Sequence, residues 1–303
     1  MKVLVSGATG LIGSALQQAL VARGDQVITL IRPSTSNASE QTIHWDPSLG
    51  TIDRAALERQ GPIDAVIHLA GAGIADKRWT AARKEEILSS RVNSTRILAD
   101  AVVSLSHQPE VFVSGSAIGI YGNRGDEILT ESSSEGSGFL ADVCHAWEAA
   151  ASAVPEAGIR TAFARTGIVL SAEGGALAKQ LPLFRLGVGG RLGSGKQWTS
   201  WISIDDEVAG ILAILDQTSL AGPINLTAPS PVTNAEFTRA LGHALHRPAV
   251  LPVPVPALKV ALGSELVDEA LTASQRVEPT VLLASGFRFT DPEINEGLAS
   301  ILS

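Results

Sequence analysis

An α/β protein built on a doubly wound parallel sheet, with a smaller C-terminal lobe, is the fold class that this chain predicts. Three observations carry that expectation. The first is the N-terminal run Lys2-Val3-Leu4-Val5, which passes directly into Ser6-Gly7-Ala8-Thr9-Gly10-Leu11-Ile12-Gly13. A short apolar strand, a glycine turn and an apolar-periodic helix in that order suit a dinucleotide. Glycines let the backbone approach a pyrophosphate, and the free N–H groups of the helix start offset its charge. The second is alternation: strand-like runs at Val3–Val5, Val27–Ile31, Ala65–Leu69, Val111–Ser114 and Thr161–Arg165 are separated by helix-like segments at about 11–23, 80–104 and 139–153. Such alternation marks a parallel sheet covered on both faces, here of the Rossmann type. The third is a change of character after Val169, where a glycine-rich stretch from Gly174 to Gly195 is followed by Pro248, Pro252, Pro254 and Pro256. Proline at that density removes backbone donors and interrupts regular elements.

The division expected from these features is a dinucleotide-binding domain over 1–170, with 201–226 returning to it, and a smaller substrate-binding lobe from 171–200 and 227–303. Trp201-Ile202-Ser203-Ile204-Asp205-Asp206 is expected as a strand leading into a helix at about 206–216, and 33–62 as an irregular segment whose start, Pro33 to Asn37, is a polar loop.

Composition narrows the class further. The chain has 303 residues, 45% hydrophobic and 18% charged, which suits a folded protein with a sizeable core. A net charge of −8 argues against nucleic acid or an anionic membrane surface as partner. One cysteine excludes an internal disulfide, and the six scattered histidines give no metal-ligand spacing. No apolar run reaches the length of a membrane span, and the glycine turn leaves no room for a signal peptide within this chain, so cytoplasm is the expected compartment.

The cofactor is read from the end of the second strand. An acidic residue there accepts from the ribose hydroxyls in NAD-binding versions of the turn. Here Ile31 is followed by Arg32, with Ser34 and Thr35 behind it, and no carboxylate occurs before Glu40. A guanidinium pairs with a 2′-phosphate, so NADP(H) is expected. The third strand, Asp64 to Leu69, ends in Ala70 and Gly71, small residues that let a ligand lie against the carboxyl edge of the sheet. His68 within that strand is expected as a packed, hydrogen-bonded core residue.

On these marks the sequence resembles the extended short-chain dehydrogenase/reductase superfamily. They are the glycine turn, His68-Leu69-Ala70-Gly71, Ser114-Gly115-Ser116 with Tyr121-Gly122, and Trp201 to Asp206. It is most similar to the atypical "epimerase family" branch, through Ile43-His44-Trp45-Asp46, Leu183 to Gly187, Gly193-Ser194-Gly195, Ala228-Pro229 and Thr233 to Phe237. The resemblance implies hydride chemistry in which a serine, a tyrosine and a lysine four residues after it move the proton. This chain departs from that plan. With Trp147-Glu148 fixing the register, the lysine position is Cys144 and the tyrosine position is Leu140. The only tyrosine is Tyr121, followed four residues later by Gly125.

The resemblance leaves Ser116 in the substrate-polarising position and Tyr121 as a residue lining the substrate pocket; these two are the catalytic candidates. Cys144 is weighed as a titrating thiol against a small residue packed on a helix. By the same resemblance Glu86 and Arg91 lie on the cofactor-facing side of their helix, with Arg91 meeting the pyrophosphate, and Val169 contacts the nicotinamide side. The expected cofactor set is therefore Gly7, Thr9, Gly10, Leu11, Ile12, Gly13, Ile31, Arg32, Leu69, Ala70, Gly71, Glu86, Arg91 and Val169. Gly190 to Lys196 imitates a phosphate-binding loop but is followed by Gln197, so a substrate loop gripping an anionic or planar ligand through Arg185, Arg191, Lys196 and Trp198 is one reading and a solvated loop the other. A homodimer through the long helices is what relatives imply. Three functions stay open: an oxidoreductase on a small carbonyl or alcohol, a non-catalytic NADP(H)-sensing or partner-binding protein, and a sugar-nucleotide epimerase.

Overall fold

Alternating burial along the strands sets the architecture. Val3 and Val5 of the first strand face one core, and Leu4 between them faces another, so this strand is covered on both sides. The computed structural model describes residues 1–33 and 39–303. In chain order the strands are β1 (Lys2–Ser6), β2 (Gln26–Ile31), β3 (Thr42–Asp46), β4 (Thr51–Ile52), β5 (Ala65–His68), β6 (Val111–Ala117), β7 (Ile128–Leu129), β8 (Arg160–Thr166), β9 (Ile168–Leu170), β10 (Trp198–Thr199), β11 (Trp201–Ser203), β12 (Gly222–Leu226), β13 (Val232–Thr233) and β14 (Arg276–Val277). Eight of them form the main sheet in the order β12-β8-β6-β5-β1-β2-β3-β4. Every neighbouring pair in it is parallel except β3 with β4.

Helices α1 (Leu11–Ala22), α2 (Arg54–Arg59), α3 (Ala81–Val103), α4 (Phe139–Ala149), α5 (Ala153–Glu156), α6 (Gly175–Arg185), α7 (Ile204–Asp216), α8 (Asn234–Ala244) and α9 (Val255–Leu262) flank the sheets. Leu16 and Leu20 of α1 join Val208, Ile211 and Ile214 of α7 under one face. Leu57 of α2, Leu98 and Val102 of α3 and Val154 of α5 cover the other. A third core gathers Leu177, Leu181 and Phe184 of α6, Trp201, Phe237 and Leu241 of α8, and Leu298 of the last helix. Among the described residues no helix is long and apolar enough to cross a membrane.

Two departures from the sequence expectation concern the irregular segment. Residues 42–46 form β3, whose Ile43 and Trp45 are buried while His44 between them is exposed. That period-two pattern is short, and it becomes a strand because β2 offers a free parallel edge to it. Helix α2 then forms with Asp53 as its cap, the side chain accepting from Ala56 N. Ser34, Thr35, Ser36 and Asn37 of the expected polar loop lie outside the described residues. The strand expected at 201 does form, but it pairs with β9 in a separate two-stranded parallel sheet rather than with the main sheet.

Candidate dinucleotide-binding site

The glycine turn closes tightly between β1 and α1. Gly7 has φ +71°, and a Cβ there would stand 2.6 Å from the Leu69 carbonyl carbon and 2.8 Å from Ala70 N. The strand end Leu69–Gly71 therefore lies directly against the turn, as small residues permit. At Gly13 a Cβ would come within 2.2 Å of Gly7 O, so only glycine lets α1 start this close behind the turn. Gly10 differs: its φ is −77°, and a Cβ would meet only Gly7 O, at 3.3 Å. It is the N-cap of α1, where no side chain accepts from the helix and the first turn carries no acid. The first N–H groups of α1 are left open in a field that favours an anion. Thr9 is exposed at the tip of the turn, and Ile12 packs into the core beneath it. Leu11 reaches the start of α6, lying 3.2 Å from where a Cβ on Gly174 or Gly175 would be.

On the β2 side of the turn, Ile31 is half-buried and Arg32 is exposed. Arg32 is close enough to Asp46 and Glu86 for its charge to help hold both carboxyls below their usual range. The larger causes are the Ser48 hydroxyl for Asp46 and the Arg83 hydrogen bond for Glu86. Glu86 is exposed and bridges to Arg83 at 2.7 Å, so α3 presents an ion pair to this region rather than a free carboxylate. Val169, on β9, is half-buried against the main core beside Gly175.

His68 is fully buried, with Ser6 Oγ at 2.6 Å from Nδ1 and Ser94 Oγ at 3.1 Å from Nε2. Burial pushes its pKa down to about 3, so the ring is a neutral tie between β1, β5 and α3.

The region expected to hold the proton chemistry is built differently from the expectation. Ser116 on β6 is opposite Arg165 on β8, and both reach Glu148 of α4. Ser116 Oγ donates to Glu148 Oε1 at 2.6 Å, and Arg165 grips the same carboxylate from Nε at 2.9 Å and Nη2 at 3.0 Å. Arg165 Nη1 donates to the Tyr121 hydroxyl at 3.0 Å, which donates in turn to Asn225 Oδ1 at 2.8 Å. Tyr121 is completely buried, and that burial raises its pKa above the ordinary phenol value. The reading of Tyr121 as a pocket-lining residue is corrected: its hydroxyl is the middle link of an interior network joining β8 to β12. Burial pushes the Cys144 thiol up to about 12, which makes it a packed, neutral residue. His145 points away and meets Glu135 at 2.8 Å on the surface.

Sequence reasoning used Glu148 only as a register mark and Arg165 only as part of a strand end; both belong to this network. The available signal was Arg165 itself, a charge within the apolar run Thr161 to Arg165 that needs a buried counter-charge. Arg91 lies farther along α3, with Nη1 donating to Ala72 O at 2.9 Å and Ile87 O at 3.0 Å.

The loop at 190–198 is largely tied down. Arg191 Nη1 donates to Ser194 O, and Trp198 Nε1 donates to Asp126 while Arg276 lies over its ring. A cavity of about 320 Å³ opens beside it, lined by Asn123, Asp126, Ser194, Lys196, Gln197 and Thr272 among others. Of the four residues expected to grip a ligand, Lys196 lines this cavity, whereas Arg185, Arg191 and Trp198 do not.

A doubly wound sheet, a glycine turn at its centre and an α4 without its tyrosine and lysine define an atypical extended short-chain dehydrogenase/reductase. The sequence model of the NAD dependent epimerase/dehydratase family matches residues 3–226, and the chain belongs to that family. A domain of unknown function, DUF1731, matches 253–301. Epimerase family protein Mb2239 of Mycobacterium bovis is 43% identical over 296 residues, covering 98% of this chain and 96% of the relative. Bovine epimerase family protein SDR39U1 is 38% identical and is covered in full by this chain. Human SDR39U1, solved with NADPH, superposes with a TM-score of 0.89 at 33% identity over 99% of each chain.

Proposed function

We propose that the protein is an NADP(H)-binding oxidoreductase acting on a small carbonyl or alcohol substrate. The observation that carries this reading is the uncapped start of α1 behind Gly7, Gly10 and Gly13, with Arg32 exposed at the neighbouring strand end. A pyrophosphate fits the open N–H groups of Leu11, Ile12 and Gly13, and a 2′-phosphate fits the Arg32 guanidinium. Leu69, Ala70 and Gly71 leave room for the cofactor along the β5 edge. The solved human relative with NADPH supports the phosphorylated form. When bound, the cofactor supplies or accepts hydride. Ser116 is the hydroxyl that the resemblance puts at the substrate, with its proton directed to Glu148 and its lone pairs left for a donor such as a substrate alcohol.

A second reading, an NADP(H) sensor without turnover, is favoured by the same network. Ser116 is engaged, Tyr121 is interior, and α4 offers no Tyr-x-x-x-Lys. Epimerisation of a nucleotide sugar would need the acid–base pair that is missing. The test is a titration of NADPH followed by its fluorescence, then a panel of aldehydes and ketones with wild type and Ser116→Ala. Saturable binding with turnover lost in Ser116→Ala supports the oxidoreductase. Binding without turnover on any carbonyl favours the sensor, and no binding of NADPH overturns both.

A further inference from the structure

Two segments in the second half of the chain contain no acidic residue. Residues 174–204 carry Lys179, Arg185, Arg191 and Lys196 without an Asp or Glu, and 237–264 carry Arg239, Arg247 and Lys259 likewise. In a chain of net charge −8 this is a local reversal of sign. The fold lays the two segments side by side. Arg191 O accepts from Val253 N at 2.8 Å, Gly193 N donates to Val253 O at 3.0 Å, and Arg247 Nε donates to Arg185 O at 3.0 Å. A Cβ on Gly187 would stand 3.5 Å from Pro248 Cγ. The same two segments hold seven of the twelve large apolar side chains that are exposed among the described residues, more than chance scatter would place there. Leu186, Val250 and Val260 are 76%, 79% and 79% exposed, and Val188 and Leu251 are exposed close to them in the chain. Helix α9 extends this surface: it buries none of its residues, and Lys259 is its one charged side chain. Lys179 and Lys259 pair with Asp76 and Asp268 from outside the two segments. Arg191 and Arg247 donate only to backbone carbonyls, and neither they nor Arg185 or Lys196 form an ion pair among the described residues.

Shape and sign together select a partner for this apolar patch with its basic border. Side chains so far exposed stand out as separate knobs and line no groove, so they suit a deformable apolar layer better than a rigid protein face. A second copy docked on the same patch would set Arg185, Arg191 and Arg247 against their own counterparts, a like-charge contact. Exposed charges act within a Debye length, about 8 Å at physiological ionic strength, so the border and not the net charge decides what this face attracts. We propose that this face docks on an anionic phospholipid surface. Leu186, Val188, Val250 and Leu251 enter the boundary between headgroups and acyl chains, and Arg185, Arg191, Lys196 and Arg247 pair with lipid phosphates. The expectation that the net charge excludes such a surface treats the charge as evenly spread, which it is not. The proposal does not depend on the NADP(H) reading.

Vesicle flotation tests it, with phosphatidylcholine alone or mixed about two to one with phosphatidylglycerol. Wild type is compared with Arg185→Gln/Arg247→Gln and with Leu186→Asn/Val250→Asn, after melting curves confirm that each is folded. A control, Arg59→Gln/Arg96→Gln, removes the same charge from exposed sites on α2 and α3. Wild type is expected to float with the mixed vesicles but not with phosphatidylcholine alone, and to be released as salt rises. Arg185→Gln/Arg247→Gln is expected to weaken partition by about tenfold or more, the effect of losing two basic contacts with the surface. Leu186→Asn/Val250→Asn is expected to weaken it as well, and the control to stay within about twofold of wild type. Wild type that stays off the mixed vesicles, or binds phosphatidylcholine alone equally well, overturns the proposal. So does a control that loses as much binding as Arg185→Gln/Arg247→Gln. A dimer in size-exclusion chromatography that Leu186→Asn/Val250→Asn abolishes, without flotation of wild type, overturns it and assigns the patch to a second copy. None of these outcomes touches the NADP(H) reading, which the NADPH titration tests separately.

Discussion

Ser116 and Glu148, 32 residues apart, are joined by a 2.6 Å hydrogen bond in which the hydroxyl donates to a carboxylate already gripped by Arg165. The Arg165 and Glu148 side chains are only 7% and 14% exposed, so the pair is a buried one. Burial presses on the guanidinium, yet the hydrogen bond and charge of Glu148 hold it above its ordinary pKa. Glu148→Gln leaves a buried cation without its anion and is expected to cost about 3–5 kcal/mol. Ser116→Ala leaves the ion pair in place and is expected to cost about 1 kcal/mol. Urea unfolding of the two variants checks this order.

Tyr121 gives a sharper distinction between structure and catalysis. Its hydroxyl accepts from Arg165 and donates to Asn225 inside the protein. Tyr121→Phe is expected to destabilise by about 1–3 kcal/mol, because two buried polar groups lose a partner. NADPH affinity is expected to stay unchanged, since the ring is fully enclosed. Parallel melting curves and NADPH titrations measure both.

The three glycines of the turn are expected to behave differently. Gly13→Ala sets a Cβ 2.2 Å from Gly7 O and is expected to cost about 1–3 kcal/mol or more through overpacking. Gly10→Asp has an ordinary φ, its Cβ makes one tight contact with Gly7 O at 3.3 Å, and its carboxylate caps α1, so stability is expected to change by no more than about 1 kcal/mol. That same carboxylate occupies the anion position and is expected to abolish NADPH binding. A stable variant that no longer binds separates the site from the fold.

The buried Glu207 sets a pH dependence. Burial pushes its carboxyl from 4.5 up to about 8, with the Thr166 hydrogen bond opposing, so the folded protein holds a proton that the unfolded chain has released. Its contribution is complete below pH 4.5 and is lost as pH rises through about 8. His68 has the opposite sign: with its pKa lowered from 6.5 to about 3, it favours the folded state above pH 6.5 and loses that contribution as pH falls. Between about pH 6.5 and 8, wild type is therefore expected to lose about 1.4 kcal/mol per pH unit relative to Glu207→Gln. Urea midpoints of both proteins across that window decide it.

Local chemistry was legible where one segment contains its own reason. The glycine turn, the small strand end Leu69–Gly71 and the packed His68 follow from residue size and polarity within a few positions. Strand β3 was hidden because Thr42 to Asp46 is too short to declare itself without the edge of β2 beside it. The Ser116–Glu148–Arg165–Tyr121–Asn225 network was hidden for a different reason. Its members come from a short helical turn, a helix and three strands, and Tyr121 meets Asn225 across 104 residues, a pairing that no local pattern encodes. The resemblance, read against the sequence, left no place for the tyrosine–lysine pair, but it could not show that Tyr121 is buried and hydrogen-bonded to Asn225.

The most direct test of the NADP(H) site is the ratio of NADPH to NADH affinity in wild type and in Arg32→Ala. Wild type is expected to prefer NADPH, and Arg32→Ala to lose this preference while its NADH affinity is kept, because in the proposed site the guanidinium pairs with the 2′-phosphate alone. Equal affinity for the two cofactors in wild type, or a preference untouched by the substitution, would contradict it.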